Sequence, residues 1–173
     1  ESTESKPVQI NILPSWTVSV TSTGGGSASL LEEGDSFIQG TEVTAKTEAE
    51  AGWEFIGWEG DFESSDASFT FTVAKAVKLK AVFGTKVTLN AVPRGSGTIE
   101  LKPDSGLYAN ARSYTAQAVP SNGYYFRSWA GGISQLSPLE YVVEMVNPTL
   151  TGLFLPLAEG DVSLTPLVNG DGF

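Results

Sequence analysis

The sequence predicts an all-β protein, built as a tandem repeat of two similar small modules plus the start of a third. Three observations predict it. Gly52-Trp53-Glu54-Phe55-Ile56-Gly57-Trp58-Glu59-Gly60 returns 71 positions later as Gly123-Tyr124-Tyr125-Phe126-Arg127-Ser128-Trp129-Ala130-Gly131. Self-similarity at a fixed displacement is the mark of a modular array. Short runs elsewhere alternate apolar and polar residues at period two, as half-buried strands do. No window sustains a 3.6-residue period with caps, so helix is expected to be scarce, at most one turn after Trp58 or Trp129.

Residues 1–15 read as an N-terminal linker that opens Glu-Ser-Thr-Glu-Ser-Lys-Pro, with Val8 to Leu13 alternating as a short extra strand would. The first module spans 16–84. Trp16-Thr17-Val18-Ser19-Val20 is its first strand, Gly24-Gly25-Gly26 the turn, and Ser27 to Leu31 the second arm of the hairpin. Glu42 to Thr47 is the next alternating run. Ala49 to Gly52 turns the chain into the aromatic strand from Trp53 to Trp58, and Asp61 to Ser68 is a polar loop. Phe69 to Val73 and Val77 to Phe83 close the module.

The second module, 85–156, repeats this order. Val87-Thr88-Leu89 turns through Pro93-Arg94-Gly95-Ser96-Gly97 into Thr98-Ile99-Glu100-Leu101, a turn two residues longer than its counterpart. Tyr114 to Ala118, the aromatic strand to Trp129, Tyr141 to Met145 and Leu150 to Leu155 follow. Residues 157–173 are a linker and the first strand of a third module, or a strand-exchange segment. There Val162 and Leu164 match Val87 and Leu89, and Gly170-Asp171-Gly172 matches Gly95-Ser96-Gly97.

Composition narrows the function. Ten basic against 20 acidic residues give a net charge of −10, which disfavours nucleic acid and direct membrane insertion. There is no Cys and no His. A thiolate metal site, a disulfide, a cysteine nucleophile and the commonest general base are therefore all absent. No apolar run approaches a bilayer span and no signal peptide is evident, so the chain reads as soluble and as a mature fragment. The serines lack a His partner, and no pair of carboxylates stands out for glycoside hydrolysis. Gly24-Gly25-Gly26 is a hairpin turn and not a phosphate loop, since neither a Lys nor a helix follows. The chain is not expected to be an enzyme.

The candidates that remain are aromatic and acidic. Phe55, Trp58, Phe83, Phe126, Trp129 and Phe154 recur in equivalent places and are expected to form the structural core. Trp53, Tyr124 and Tyr125 are the candidate ligand contacts, because sugars stack on flat aromatic faces. Asp61, Glu63 and Asp66 lie in an acidic loop with weak Ca²⁺-binding character. They lack the spacing of a calcium loop, and the second module has no counterpart. No metal and no cofactor are expected, and Glu32-Glu33-Gly34-Asp35 is discounted in the same way.

The order strand, Gly-rich turn, strand, Gly-aromatic-x-Phe-x-x-Trp-x-Gly and terminal Ala-Val-Phe resembles the divergent relatives of the internalin B repeat. The resemblance covers 16–83 and 86–155 and is most specific from Gly52 to Asp61. The second module departs from it at Gly132 and at Asn110-Ala111-Arg112. The resemblance implies compact β-grasp-like modules, a bacterial cell-surface or secreted setting, and no catalysis. It implies a structural or adhesive spacer or stalk whose partners are neighbouring repeat modules, extracellular glycans or other copies of itself. The alternatives are a carbohydrate-binding accessory module of a polysaccharide-degrading enzyme and a subunit of an extracellular filament assembled by strand exchange.

Overall fold

The computed structural model describes residues 12–158 and 160. The extra strand expected at 8–13 falls outside these residues except for Ile12 and Leu13, which are exposed coil. The third-module start at 161–173 lies outside them altogether. The described chain is all-β, with a 3-10 turn at Ala130–Gly132 as its only helical segment.

The chain divides into two compact units. One comprises the residues up to Glu50 together with Phe55–Phe83; the other comprises Ala51–Glu54 and the residues from Gly84 on. In the first unit, β1 (Ser15–Thr23) runs parallel to β7 (Val77–Thr85), with Val20 opposite Leu79. β3 (Ser36–Ile38) pairs with the start of β1, and β5 (Glu54–Gly60) pairs with β7. A second sheet has the order β2 (Gly26–Leu30), β4 (Glu42–Ala49), β6 (Ser68–Thr72), all antiparallel.

The second unit has the same plan. β8 (Thr88–Val92) runs parallel to β14 (Thr149–Pro156), with Leu89 opposite Leu150, and β12 (Tyr124–Trp129) lies antiparallel on the other side of β14. Its second sheet has the order β9 (Gly97–Lys102), β11 (Ser113–Pro120), β13 (Leu139–Val142). The end of β7, Gly84–Thr85, belongs to this unit and pairs with β10 (Tyr108–Ala109). Trp16 pairs with Phe37 as Thr85 pairs with Tyr108, so Thr85 stands where Trp16 stands in the first repeat. The parallel pairing of first and last strands matches the β-grasp-like plan that the resemblance implies. No α-helix accompanies it among the described residues.

Two short strands, β3 and β10, escape the sequence reading, because two or three residues are too few to show a period. Both serve to bury one aromatic ring: Phe37 is 8 % exposed and Tyr108 5 %. The hairpin glycines also play different parts from those expected. Gly24 has φ +90°, which favours glycine. Gly26 does not; a Cβ there would lie 2.5 Å from the Phe83 ring. Gly97 repeats the arrangement, its Cβ position lying 2.7 Å from the Phe154 ring. These glycines are packing residues that let a ring lie flat on the backbone.

Each unit buries its own aromatic cluster. Phe55 meets Trp58 and Phe83 edge-on, at 5.8 Å each, and Phe126 meets Trp129 at 5.1 Å and Phe154 at 5.7 Å. Edge-on contacts place the positive ring edge on the negative face of its neighbour.

Candidate functional site: the tryptophan-anchored loops

β12 ends at Trp129 and β5 carries Trp58 two residues before its end at Gly60, and in the first repeat the loop that follows holds the acidic candidates. Trp58 and Trp129 are 2 % and 1 % exposed. A buried indole N–H needs an acceptor. Trp58 Nε1 donates to the Asp66 carbonyl at 3.1 Å, and its backbone N–H donates to the Ser64 carbonyl at 2.8 Å. The Asp66 amide in turn donates to Ser64 Oγ at 3.1 Å. The second repeat makes the same three bonds. Trp129 Nε1 donates to the Leu136 carbonyl at 2.8 Å, its backbone N–H to the Ser134 carbonyl at 2.8 Å, and the Leu136 amide to Ser134 Oγ at 2.9 Å.

The tryptophan therefore acts as a staple, with its ring in the core and its polar atoms holding the loop. Nothing local in the sequence marks Ser64 and Ser134. Their signal is present there, as a Ser two residues before the residue whose carbonyl accepts the indole. It is masked because one loop is a residue shorter than the other.

Asp61 is a loop clasp. Its Oδ1 lies 2.7 Å from Lys75 Nζ, and its Oδ2 accepts the Lys78 amide at 2.9 Å. The hydrogen bond from Lys75 and then that from the Lys78 backbone hold its carboxyl below the usual carboxylate range. Both oxygens thus face protein donors. Among the described residues no three His, Cys, Asp or Glu side chains are grouped to hold a metal ion, so Asp61, Glu63 and Asp66 are not brought together as ligands. Glu32 accepts the Thr44 amide at 2.8 Å through Oε2 and is likewise part of the scaffold.

The three candidate contact aromatics do not form one platform. Tyr124 and Tyr125 are neighbours on β12 and face opposite ways, Tyr124 half-buried and Tyr125 39 % exposed opposite Leu155. Trp53 is half-buried within Ala51–Glu54. The other core candidates, Phe83 and Phe154, are buried, while Phe55 and Phe126 are half-buried beside their tryptophans. Two shallow hollows mark the second unit. One of about 310 Å³ lies beside Trp129 between Gly131, Ser134 and Gln135, and one of about 390 Å³ lies between Lys102, Ser113 and Glu140. In the larger, Ser113 Oγ donates to Glu140 Oε1 at 2.6 Å, a pair exposed to solvent.

No candidate membrane-spanning helix occurs among the described residues. Comparison with curated proteins found no match, and comparison with solved structures found none either. The family model of the divergent InlB B-repeat domain matches twice, over residues 16–87 and 87–156. With most of its length covered by two adjoining matches, the chain belongs to the divergent InlB B-repeat domain family.

Proposed function

We propose that this chain is a non-catalytic spacer or stalk segment of a bacterial cell-surface or secreted protein, its modules lying over 16–84 and 85–156. The observation that carries the reading is the staple. In both repeats the buried tryptophan uses its indole N–H and its backbone N–H to hold the module's own loop. A binding module would keep such a ring at its surface. The acidic balance suits a soluble segment that resists non-specific self-association. Its partners on this reading are the repeats on either side of it.

One observation favours the carbohydrate-binding alternative, namely Tyr125, an exposed ring on β12. A glycan array probed with the parent protein and with Tyr125→Ala separates the two. The spacer reading predicts no glycan whose retention depends on Tyr125. A glycan held by the parent and lost in the variant would replace that reading with the alternative.

A further inference from the structure

The turn that leads into the second aromatic strand carries a reactive pair that the first repeat lacks. Asn122-Gly123 joins β11 to β12, where the first repeat has Ala51-Gly52. It is the one Asn-Gly pair among the described residues. The Tyr124 amide donates to the Ser121 carbonyl at 3.0 Å across the turn, and Gly123 sits at φ +82°, as the third residue of a type II turn does. The flanks are held: the Ser121 amide donates to the Ser96 carbonyl at 2.9 Å, and the Leu157 amide to the Gly123 carbonyl at 2.9 Å. The pair itself is uncovered. Asn122 and Gly123 are both exposed, and a Cβ at Gly123 would meet nothing within 4 Å. All of these residues belong to the second unit.

We infer that Asn122 is a modification site, at which the side-chain amide is lost without an enzyme to give aspartate and isoaspartate. The Gly123 backbone nitrogen loses its proton and bonds to Asn122 Cγ. The bond from Cγ to Nδ2 breaks, ammonia leaves, and a succinimide ring remains. Water then opens the ring. Cleavage between the Gly123 nitrogen and Cγ gives aspartate, and cleavage between that nitrogen and the Asn122 backbone carbonyl carbon gives isoaspartate. Nothing is oxidised or reduced. Glycine makes the first step accessible, because no side chain shields its nitrogen and the turn can rotate without a clash.

The other described asparagines each lack something. Asn90 lies within β8, held in the sheet opposite Thr151. Asn110 is half-buried and precedes Ala111, whose Cβ shields the nitrogen. Asn147 precedes Pro148, which has no N–H to lose. In the first repeat Ala51 offers no side-chain carbonyl to attack. Either product adds a negative charge to a chain already at −10. Isoaspartate also routes the main chain through Cβ and so lengthens it beside the Gly123 carbonyl that holds Leu157. The inference goes beyond the spacer reading and does not depend on it: the second repeat carries an ageing site that the first does not.

The test holds the full chain in warm, mildly alkaline buffer and follows each asparagine by peptide mass spectrometry, with an isoaspartyl methyltransferase to count isoaspartate. Asn122 should convert at least about tenfold faster than Asn90 or Asn110. The rate should rise with pH, because the attacking nitrogen must lose its proton. In the aged parent the Leu157 amide should exchange faster, in step with the isoaspartate formed. Asn122→Gln should stay unconverted and keep the rate of the fresh chain, since its longer side chain closes the corresponding ring far more slowly. The chain unfolded in guanidinium chloride at the same pH supplies the clock. An Asn122 still intact in the folded chain once the unfolded chain has converted would overturn the inference. So would conversion of Asn90 or Asn110 at the same rate as Asn122.

Discussion

The loops after Trp58 and Trp129 hang from the same hydrogen bonds and share almost nothing else. The first is acidic and one residue longer. It is clasped by Asp61 to Lys75 and Lys78, and its Phe62 ring packs 4.9 Å from Phe71. The second turns on Gly131 and Gly132, at φ +74° and +72°, and leaves Ile133 and Leu136 56 % and 74 % exposed. In this pair the points of attachment repeat and the residues between them do not. Each module buries one tryptophan among its other aromatic rings. The loop over that ring need only deliver two carbonyls and one serine hydroxyl at fixed places.

The comparison breaks most decisively at the tryptophans. Trp129→Ala should destabilise the second repeat by about 3–5 kcal/mol, and Trp58→Ala the first by as much, since each removes a buried ring and frees a loop. Thermal melts of the two variants should show comparable losses. A melt of Trp129→Ala that overlays the parent would end the equivalence.

Next in size come the packing glycines. Gly26→Ala and Gly97→Ala should each cost about 1–3 kcal/mol, because the added Cβ would run into the Phe83 and Phe154 rings. Denaturant titration that finds either variant as stable as the parent would mean that the ring does not lie on the backbone.

Smaller effects are expected at the loop serines. Ser64→Ala and Ser134→Ala each remove one acceptor and should cost about 0.5–1.5 kcal/mol. Equal costs would sharpen the parallel. A cost in only one repeat would show that its loop holds by other contacts, with the Asp61 clasp the evident candidate in the first.

The smallest expected effect is an acid sensitivity confined to the first repeat. Asp61 has a carboxyl pKa lowered on folding, so its contribution is present above the unfolded carboxylate range. That contribution is lost as the pH falls through the lowered folded value, below about pH 4. Lys78 amide exchange should rise there in the parent and be insensitive to pH in Asp61→Asn, beyond the intrinsic rate change. Thr149, the counterpart of Lys78 in a repeat with Gly132 in place of Asp61, should show no such step.

Much of the plan was legible because the chain writes it twice. The aromatic strands, the alternating runs and the longer second hairpin all follow from matching one repeat to the other. The parallel pairing of first and last strands was not legible, since alternation gives a strand's faces and not its neighbours. The sequence places Gly26 and Gly97 in turns, because glycine has the same letter whether it supplies positive φ or room for a ring. The role of Thr85 is hidden in the sequence for a similar reason. A threonine ending a strand is ordinary, and only the fold brings Gly52 and Asn147 to its hydroxyl. Residue type alone marks Trp53, Tyr124 and Tyr125 as candidate contacts, and the pleat of β12 turns the two tyrosines apart.

The central claim is that each repeat uses its tryptophan to hold its own loop. The most direct measurement is hydrogen exchange of the indole N–H protons by NMR, with Trp58 and Trp129 assigned through Trp58→Phe and Trp129→Phe. The staple predicts that both indole protons exchange slowly, that Ser64→Ala speeds only Trp58, and that Ser134→Ala speeds only Trp129. Indole protons of Trp58 and Trp129 that exchange as fast as those of free tryptophan would contradict it.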